Sequence, residues 1–98
     1  MNMQAMLKQA QNLQKDMLKV KAEIDSKEFV GESSFVKVTM KGSKEVVSVK
    51  ISVEDSLDKD DIEALEDMLV IAINDANKKI DKYTESKMGK FGNIPGLF

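Results

Sequence analysis

The residues of this chain that could do chemistry are carboxylates and lysines, and they are segregated along the sequence. Residues 54–75 hold nine acidic residues and one lysine, whereas residues 1–27 hold five lysines and three acidic residues. Clustered carboxylates could bind a metal ion, form an acidic partner surface or begin a helix, and clustered lysines could bind phosphate groups. The net charge of −2 therefore conceals two opposite kinds of surface.

The chain lacks the residues and segments on which most enzymes and membrane proteins depend. It has no cysteine and no histidine, so thiolate nucleophiles, zinc–thiolate sites and the commonest general base are excluded. The longest apolar run, residues 68–73, is far shorter than the roughly 20 residues of a membrane span. We predict a cytoplasmic protein that is not an enzyme, has no membrane segment and binds no cofactor or metal.

The acidic stretch "VEDSLDKDDIEALEDMLV" is better explained as the start of a helix than as a metal site. An EF-hand loop needs alternating ligands, a central glycine and a terminal glutamate, and "DSLDKDDIEALE" has no glycine. Asp58 or Asp60 can cap a helix, and Glu63 lies at capping-box distance from Asp60. Acidic residues in a first turn also complement the positive end of the helix dipole.

Hydrophobic periodicity predicts two long helices with a small sheet between them. Apolar residues recur at spacings of three and four over residues 3–26, which predicts a helix with a heptad seam. Residues 36–40 and 47–53 alternate apolar and polar side chains and predict a hairpin, with a further short strand around residues 28–32. A second helical stripe extends to about Met88, with a left-handed stop expected at Gly89. The predicted fold class is α+β with a three-stranded antiparallel sheet.

The chain has the length of a single domain, residues 1–98, but its helices are too long for a compact monomer. Helices of roughly 36 and 40 Å exceed a domain whose radius of gyration should be about 13 Å. Three strands cannot cover both apolar stripes, so we predict an intertwined homodimer. The interface is expected to include Met6, Leu13, Met17, Leu69 and Ile73.

The chain contains, in order, "MLKQAQNLQKDM", "VGESSFVKVTMKG", "LEDMLVIAINDANKKI" and "MGKFGNIPGLF". This ordered set resembles the YbaB/EbfC family of bacterial nucleoid-associated proteins over nearly the whole chain. The resemblance implies two long helices flanking a three-stranded antiparallel sheet, an intertwined dimer, a location in the nucleoid, and DNA binding without catalysis. Ser33, Ser34 and Phe35 stand where relatives usually have a glycine-rich link, and Ser56 where they usually have proline, which affects turn geometry.

Two lysine surfaces are candidate DNA-binding sites. The outward face of the first helix carries lysines and amides and no acidic residue as far as Lys19. From composition this face is either a phosphate-binding surface or a solvated helix face, and the resemblance favours the first. Lysines near the end of the last helix form the second surface, although they also suit the negative end of the helix dipole. The candidate residues are Lys8, Lys15 and Lys19 on the first surface, and Lys78, Lys79 and Lys82 on the second, whose cluster also includes Lys87 and Lys90.

We predict a homodimer that binds double-stranded DNA with little sequence specificity and so influences chromosome organisation and gene expression. All fifteen cationic residues are lysines, and arginine supplies the commonest specific contact to guanine. The alternative is a non-enzymatic adaptor whose acidic surface or heptad faces bind another protein, with DNA binding incidental.

Overall fold

The computed structural model describes residues 2–91, which form a helix, three strands and a second helix. This order and the antiparallel strand order β1-β2-β3 confirm the predicted fold class. Short 3-10 turns at Lys59–Asp61 and Gly89–Phe91 flank the second helix. The main elements are α1 (Met3–Ser26), β1 (Glu28–Ser33), β2 (Val36–Lys41), β3 (Val46–Ile51) and α2 (Ile62–Met88).

Helix α1 lies almost entirely outside the core. Asn2 caps it, because its side-chain oxygen accepts a hydrogen bond from the Gln4 amide at 3.0 Å. Only Met17 and Ile24 of this helix are buried, where they pack against the end of α2. Residues Met3–Asp16, which we call the α1 arm, are exposed throughout.

The sheet forms where the period-two alternation predicts it. Val36, Val38 and Met40 of β2 are buried, whereas the alternate residues of this strand are not. The β1–β2 and β2–β3 turns use Ser34 (φ 53°) and Lys44 (φ 74°) in the left-handed region that usually favours glycine. The residues between β1 and β2, Ser34 and Phe35, therefore make a tight turn without a glycine.

Helix α2 packs across β1 and β2 and forms the main core. Gly31 allows the close approach, because a side chain there would overlap the carbonyl oxygen of Ala72 and the amide nitrogen of Ala76. Strand β3 lies beyond this coverage, and all six of its residues are exposed. The core residues are Phe29, Val36, Val38, Met40, Ala72, Ala76 and Ile80.

The acidic stretch begins a helix, as predicted. The Asp58 amide donates to the Asp61 carboxylate at 2.9 Å, and the Asp61 amide donates to the Asp58 carbonyl at 3.0 Å. This reciprocal pair confirms Asp58, one of the two predicted caps, and uses Asp61 as its partner in place of the predicted pair of Asp60 and Glu63. It satisfies backbone groups at the start of the 3-10 turn that leads into α2.

The predicted left-handed stop at Gly89 is wrong. Gly89 has φ −58° and ψ −33°, so the chain continues in a right-handed turn to Phe91. The reason is packing, since Phe91 and Met88 are buried against Met17 and Ile24 of α1. A left-handed residue would turn Phe91 away from this second cluster.

The molecule is long and narrow. Its extents are 71 × 18 × 16 Å and its radius of gyration is 19.6 Å, whereas a compact domain of about 100 residues has about 13 Å. Because Met17 packs at the end of α2, the α1 arm extends beyond that end. Within residues 2–91, neither helix is both long and apolar enough to cross a membrane.

Candidate nucleic-acid interface

The α1 arm and the turn that follows it present three lysines to solvent. Lys8, Lys15 and Lys19 are exposed. Among residues 2–91, five other lysines lie within 4.0 Å of a carboxylate, and none of these three does. Their positive charge is therefore not neutralised by an ion pair in the described part of the chain.

These three lysines are spaced along one helix so that they could contact a series of phosphates. Lys8 and Lys19 are separated by roughly 16 Å along the axis, at about 1.5 Å per residue. That distance equals about five base pairs of duplex at about 3.4 Å each. Ammonium groups on an exposed rod can bind backbone phosphates without any contact to base edges.

The three lysines of the second predicted surface have different environments. Lys78 and Lys82 are exposed and have no ion pair with residues 2–91. Lys79 instead donates to the Val30 carbonyl at 2.7 Å and lies 3.3 Å from the Asp75 carboxylate. Lys79 thus ties α2 to the outer edge of β1.

Asp75 completes this tie between α2 and β1. Its carboxylate accepts a hydrogen bond from the Glu32 amide at 3.0 Å. This hydrogen bond, followed by the hydrogen bond from Lys79, lowers the pKa of Asp75 below its ordinary value. Asp75 and Lys79 therefore satisfy backbone groups of the β1 edge strand that would otherwise be open to another strand.

The five predicted interface residues have different environments. Met6 and Leu13 remain 51% and 45% exposed on the α1 arm. Met17 is buried inside its own chain by the end of α2, and Leu69 and Ile73 are half-buried beside the core. Their role in a dimer stays a prediction, and Met6 and Leu13 are the two most open to a partner.

Two further apolar surfaces were missed by the sequence reasoning. Val49 and Ile51 of β3 pair with buried Val38 and Val36, yet both are exposed because α2 does not reach them. Val70 and Ile71 of α2 are 58% and 55% exposed. Two adjacent apolar residues beside the main helical stripe are the signal that could have indicated a second apolar face.

The acidic end of the molecule lies far from the α1 arm. From Ile62 to Lys78, α2 runs roughly 24 Å, which is about three Debye lengths at physiological salt. Within the described residues 2–91, acidic side chains form no group of three or more suited to hold a metal ion. The negative charge is therefore concentrated at the end opposite the exposed lysines of α1.

An exposed lysine-bearing helix on a small sheet, with charge separated along the molecule, is typical of the class of nucleic-acid-binding proteins. The model of the YbaB/EbfC DNA-binding family matches residues 1–94. The chain belongs to this family.

Three bacterial relatives are similar in sequence to this chain over nearly their whole length, and each is named a nucleoid-associated protein. The Ligilactobacillus salivarius protein is 43% identical, with 99% of this chain and 95% of the relative covered. The Enterococcus faecalis protein is 40% identical, with 98% and 94% covered. A Streptococcus pneumoniae protein is 45% identical, with 97% and 98% covered.

The fold is also similar to that of a solved structure. The crystal structure of an uncharacterized protein from Helicobacter pylori superposes with a TM-score of 0.75 and covers 93% of this chain and 97% of that one. The sequence identity is 22%, so this likeness bears on the fold alone.

Proposed function

We propose that this protein is a homodimer that binds double-stranded DNA with little sequence specificity in the bacterial nucleoid. Membership of a DNA-binding family and the names of its relatives support DNA as the partner. The proposal rests mainly on the α1 arm, which leaves the core and exposes Lys8 and Lys15, and on Lys19, which is exposed one turn further along α1. None of these three lysines forms an ion pair within residues 2–91.

Low specificity follows from the kind of contact that lysines make. An ammonium group is a point charge that attracts phosphate oxygens, whereas bidentate readout of guanine favours arginine, which this chain lacks. Phosphate contacts position a protein on the duplex but do not read its sequence. Binding of this kind at many sites would coat and organise the chromosome and so influence gene expression.

Dimerisation is supported by apolar surface that one copy leaves uncovered. The inner face of β3, with Val49 and Ile51, extends the same layer that α2 covers over β1 and β2. A helix from a second copy would fit there, and the exposed Val70 and Ile71 of α2 offer it a neighbouring apolar flank. Asn77 also has a buried side-chain oxygen with no hydrogen-bond partner among residues 2–91.

The acidic start of α2 would orient the complex. DNA is repelled from that end at short range, but the exposed lysines of α1 lie beyond the reach of this repulsion at physiological salt. The duplex would therefore approach the end from which the α1 arm projects.

The test replaces Lys8, Lys15 and Lys19 together with glutamine, which removes charge while keeping helix propensity. The matched control replaces Lys21, Lys41 and Lys44, each of which has a carboxylate partner within 3.7 Å. We expect the arm variant to lose affinity for two unrelated duplexes by similar factors and the control to lose less. Equal affinities of arm variant and wild type, or a loss confined to one duplex, would contradict the proposal.

The adaptor function remains the second candidate because Met3 and Leu7 of the α1 arm are exposed apolar residues that a protein partner could cover. Co-purification from lightly crosslinked cells, with and without nuclease, separates the two functions. Proteins that remain bound after nuclease treatment, together with weak DNA binding in vitro, would favour the adaptor.

A further inference from the structure

A cleft of about 410 Å³ lies where α1 meets the end of α2. We call it the junction cleft. It is separate from the lysine face of the α1 arm, and sequence periodicity gives no indication of it. Its lining includes Val20, Glu23, Tyr83, Ser86, Lys87 and Lys90.

Three lysines near this junction lie over aromatic rings, and two of them, Lys87 and Lys90, line the cleft. The ammonium nitrogens of Lys27 and Lys87 lie 4.8 and 5.4 Å from the centre of the Tyr83 ring. The Lys90 ammonium lies 5.1 Å from the centre of the Phe91 ring. Within residues 2–91, none of the three has a carboxylate within ion-pair distance.

The rings hold these ammonium groups without neutralising them. A cation–π contact orients an ammonium against the ring face, but the group still has N–H donors for an anion. Tyr83 is itself held in place by an edge-on contact with Phe29, with ring centres 5.4 Å apart. The only acidic side chain lining the described cleft is Glu23, so lysines outnumber carboxylates there.

We propose that the junction cleft binds a phosphate group. A phosphate offers several strong acceptor oxygens and negative charge, and two or more ammonium groups at a partly enclosed site would bind it more strongly than one exposed lysine. The phosphate could belong to a DNA backbone or to a free phosphate compound. The DNA form of this inference rests on the proposed function, and the free-phosphate form does not.

Tyr83 makes the site directly observable. It is the only tyrosine and the chain has no tryptophan, so intrinsic fluorescence at tyrosine wavelengths comes from the junction cleft. The full-length protein is titrated with inorganic pyrophosphate, with sodium chloride of equal ionic strength as the salt control. In a second arm, the anisotropy of a short labelled duplex measures DNA binding.

Both arms compare the wild type with a variant carrying Lys87→Gln and Lys90→Gln, the two lysines that line the cleft. The matched control carries Lys21→Gln and Lys44→Gln, which removes the same charge from lysines paired with Asp25 and Asp81. We expect pyrophosphate to change the Tyr83 fluorescence where chloride does not. The cleft variant should bind pyrophosphate, the duplex or both at least about threefold more weakly than the control variant, a loss in the range of exposed charge contacts.

The pattern of loss identifies the source of the phosphate. Loss in the duplex arm alone assigns a backbone phosphate, and loss in the pyrophosphate arm alone assigns a free phosphate compound. Equal behaviour of cleft and control variants in both arms would overturn the inference. Duplex binding that depends on Lys8, Lys15 and Lys19 but not on the cleft would leave the proposed function standing, whereas a pyrophosphate response without duplex binding would remove the proposed function alone.

Discussion

The two long helices of this protein are alike in sequence pattern and opposite in environment. α2 places Ala72, Ala76 and Ile80 in the core, where each is almost completely buried. α1 buries only Met17 and Ile24, and the fourteen residues of its arm are exposed. An apolar stripe therefore shows that a helix has a face to bury, but not which element covers it.

The difference arises from the partners that each helix meets. α2 follows the sheet and crosses β1 and β2, and Gly31 lets it approach the strand closely. α1 precedes the sheet and meets the last turns of α2, and near its own end it also contacts Gly42 and Ser43 after β2. We infer that α2 holds the fold together within one chain and that α1 is available for the second copy and for DNA.

A substitution at Gly31 tests the close packing of α2 against β1, and of the substitutions we propose it should lower the free energy of unfolding most. Gly31→Ala would place a methyl group against the backbone of Ala72 and Ala76, which cannot move independently of the helix. We expect the free energy of unfolding to fall by about 2–4 kcal/mol. Chemical denaturation followed by circular dichroism measures it.

Gly89→Ala is the matched control for that substitution. Gly89 has right-handed helical geometry, and among residues 2–91 an added methyl group would meet no atom within 4 Å beyond its own turn and chain neighbours. The same change should therefore be neutral or stabilise the fold by up to about 1 kcal/mol. If both substitutions cost the same, the close contact between β1 and α2 is not what holds α2 in place.

A substitution at Leu13 tests whether the heptad seam of α1 forms the interface between two copies of the chain. Leu13→Asp places a charge on the predicted interface, and we expect the dimer dissociation constant to rise by roughly 100-fold or more. Leu18→Asp is the control, because Leu18 is also exposed on α1 but lies on the outward face. Light scattering after size exclusion should give twice the 10.9 kDa chain mass for the wild type and the control. A Leu13→Asp protein that stays dimeric would move the interface elsewhere.

A substitution at Asp75 tests the hydrogen bonds that join α2 to β1, and its effect on stability should be smaller. Because the folded pKa of Asp75 is lowered, its carboxylate contributes stability above the ordinary aspartate pKa of about 3.9. This contribution is lost as pH falls through the lower folded pKa. Wild type should therefore exceed Asp75→Asn in stability at neutral pH, and the difference should shrink in acid. A difference that is independent of pH would show that the charge of Asp75 does not matter.

Periodicity predicted the helices and strands well because each buried face repeats at the period of its element. It could not show that α2 stops short of β3, since Val49 and Ile51 have the same alternation as the buried valines of β2. It also gave Gly89 a helix-stop role that the burial of Phe91 overrides. These features depend on contacts between elements distant in sequence.

Only part of the candidate site could be predicted from the sequence, because some of its contacts also join residues that are distant in sequence. The spacing of Lys8, Lys15 and Lys19 placed them on one face, and the structure leaves them exposed. Lys79 was grouped with Lys78 and Lys82 because they are neighbours in sequence, but its contact with the Val30 carbonyl joins residues 49 positions apart. The convergence of Lys27 and Lys87 on Tyr83 likewise has no local signal.

The salt dependence of duplex affinity measures whether lysines of α1 bind DNA phosphates, as we propose. Each phosphate contact contributes a slope of about −0.9 to a plot of log affinity against log salt. If a dimer uses all six copies of Lys8, Lys15 and Lys19, replacing them with glutamine should flatten the slope by up to about 5. Lys59→Gln, at the acidic start of α2, should leave the slope unchanged. A slope that stays at the wild-type value in the triple variant would contradict the account, because those lysines would then release no counterions on binding.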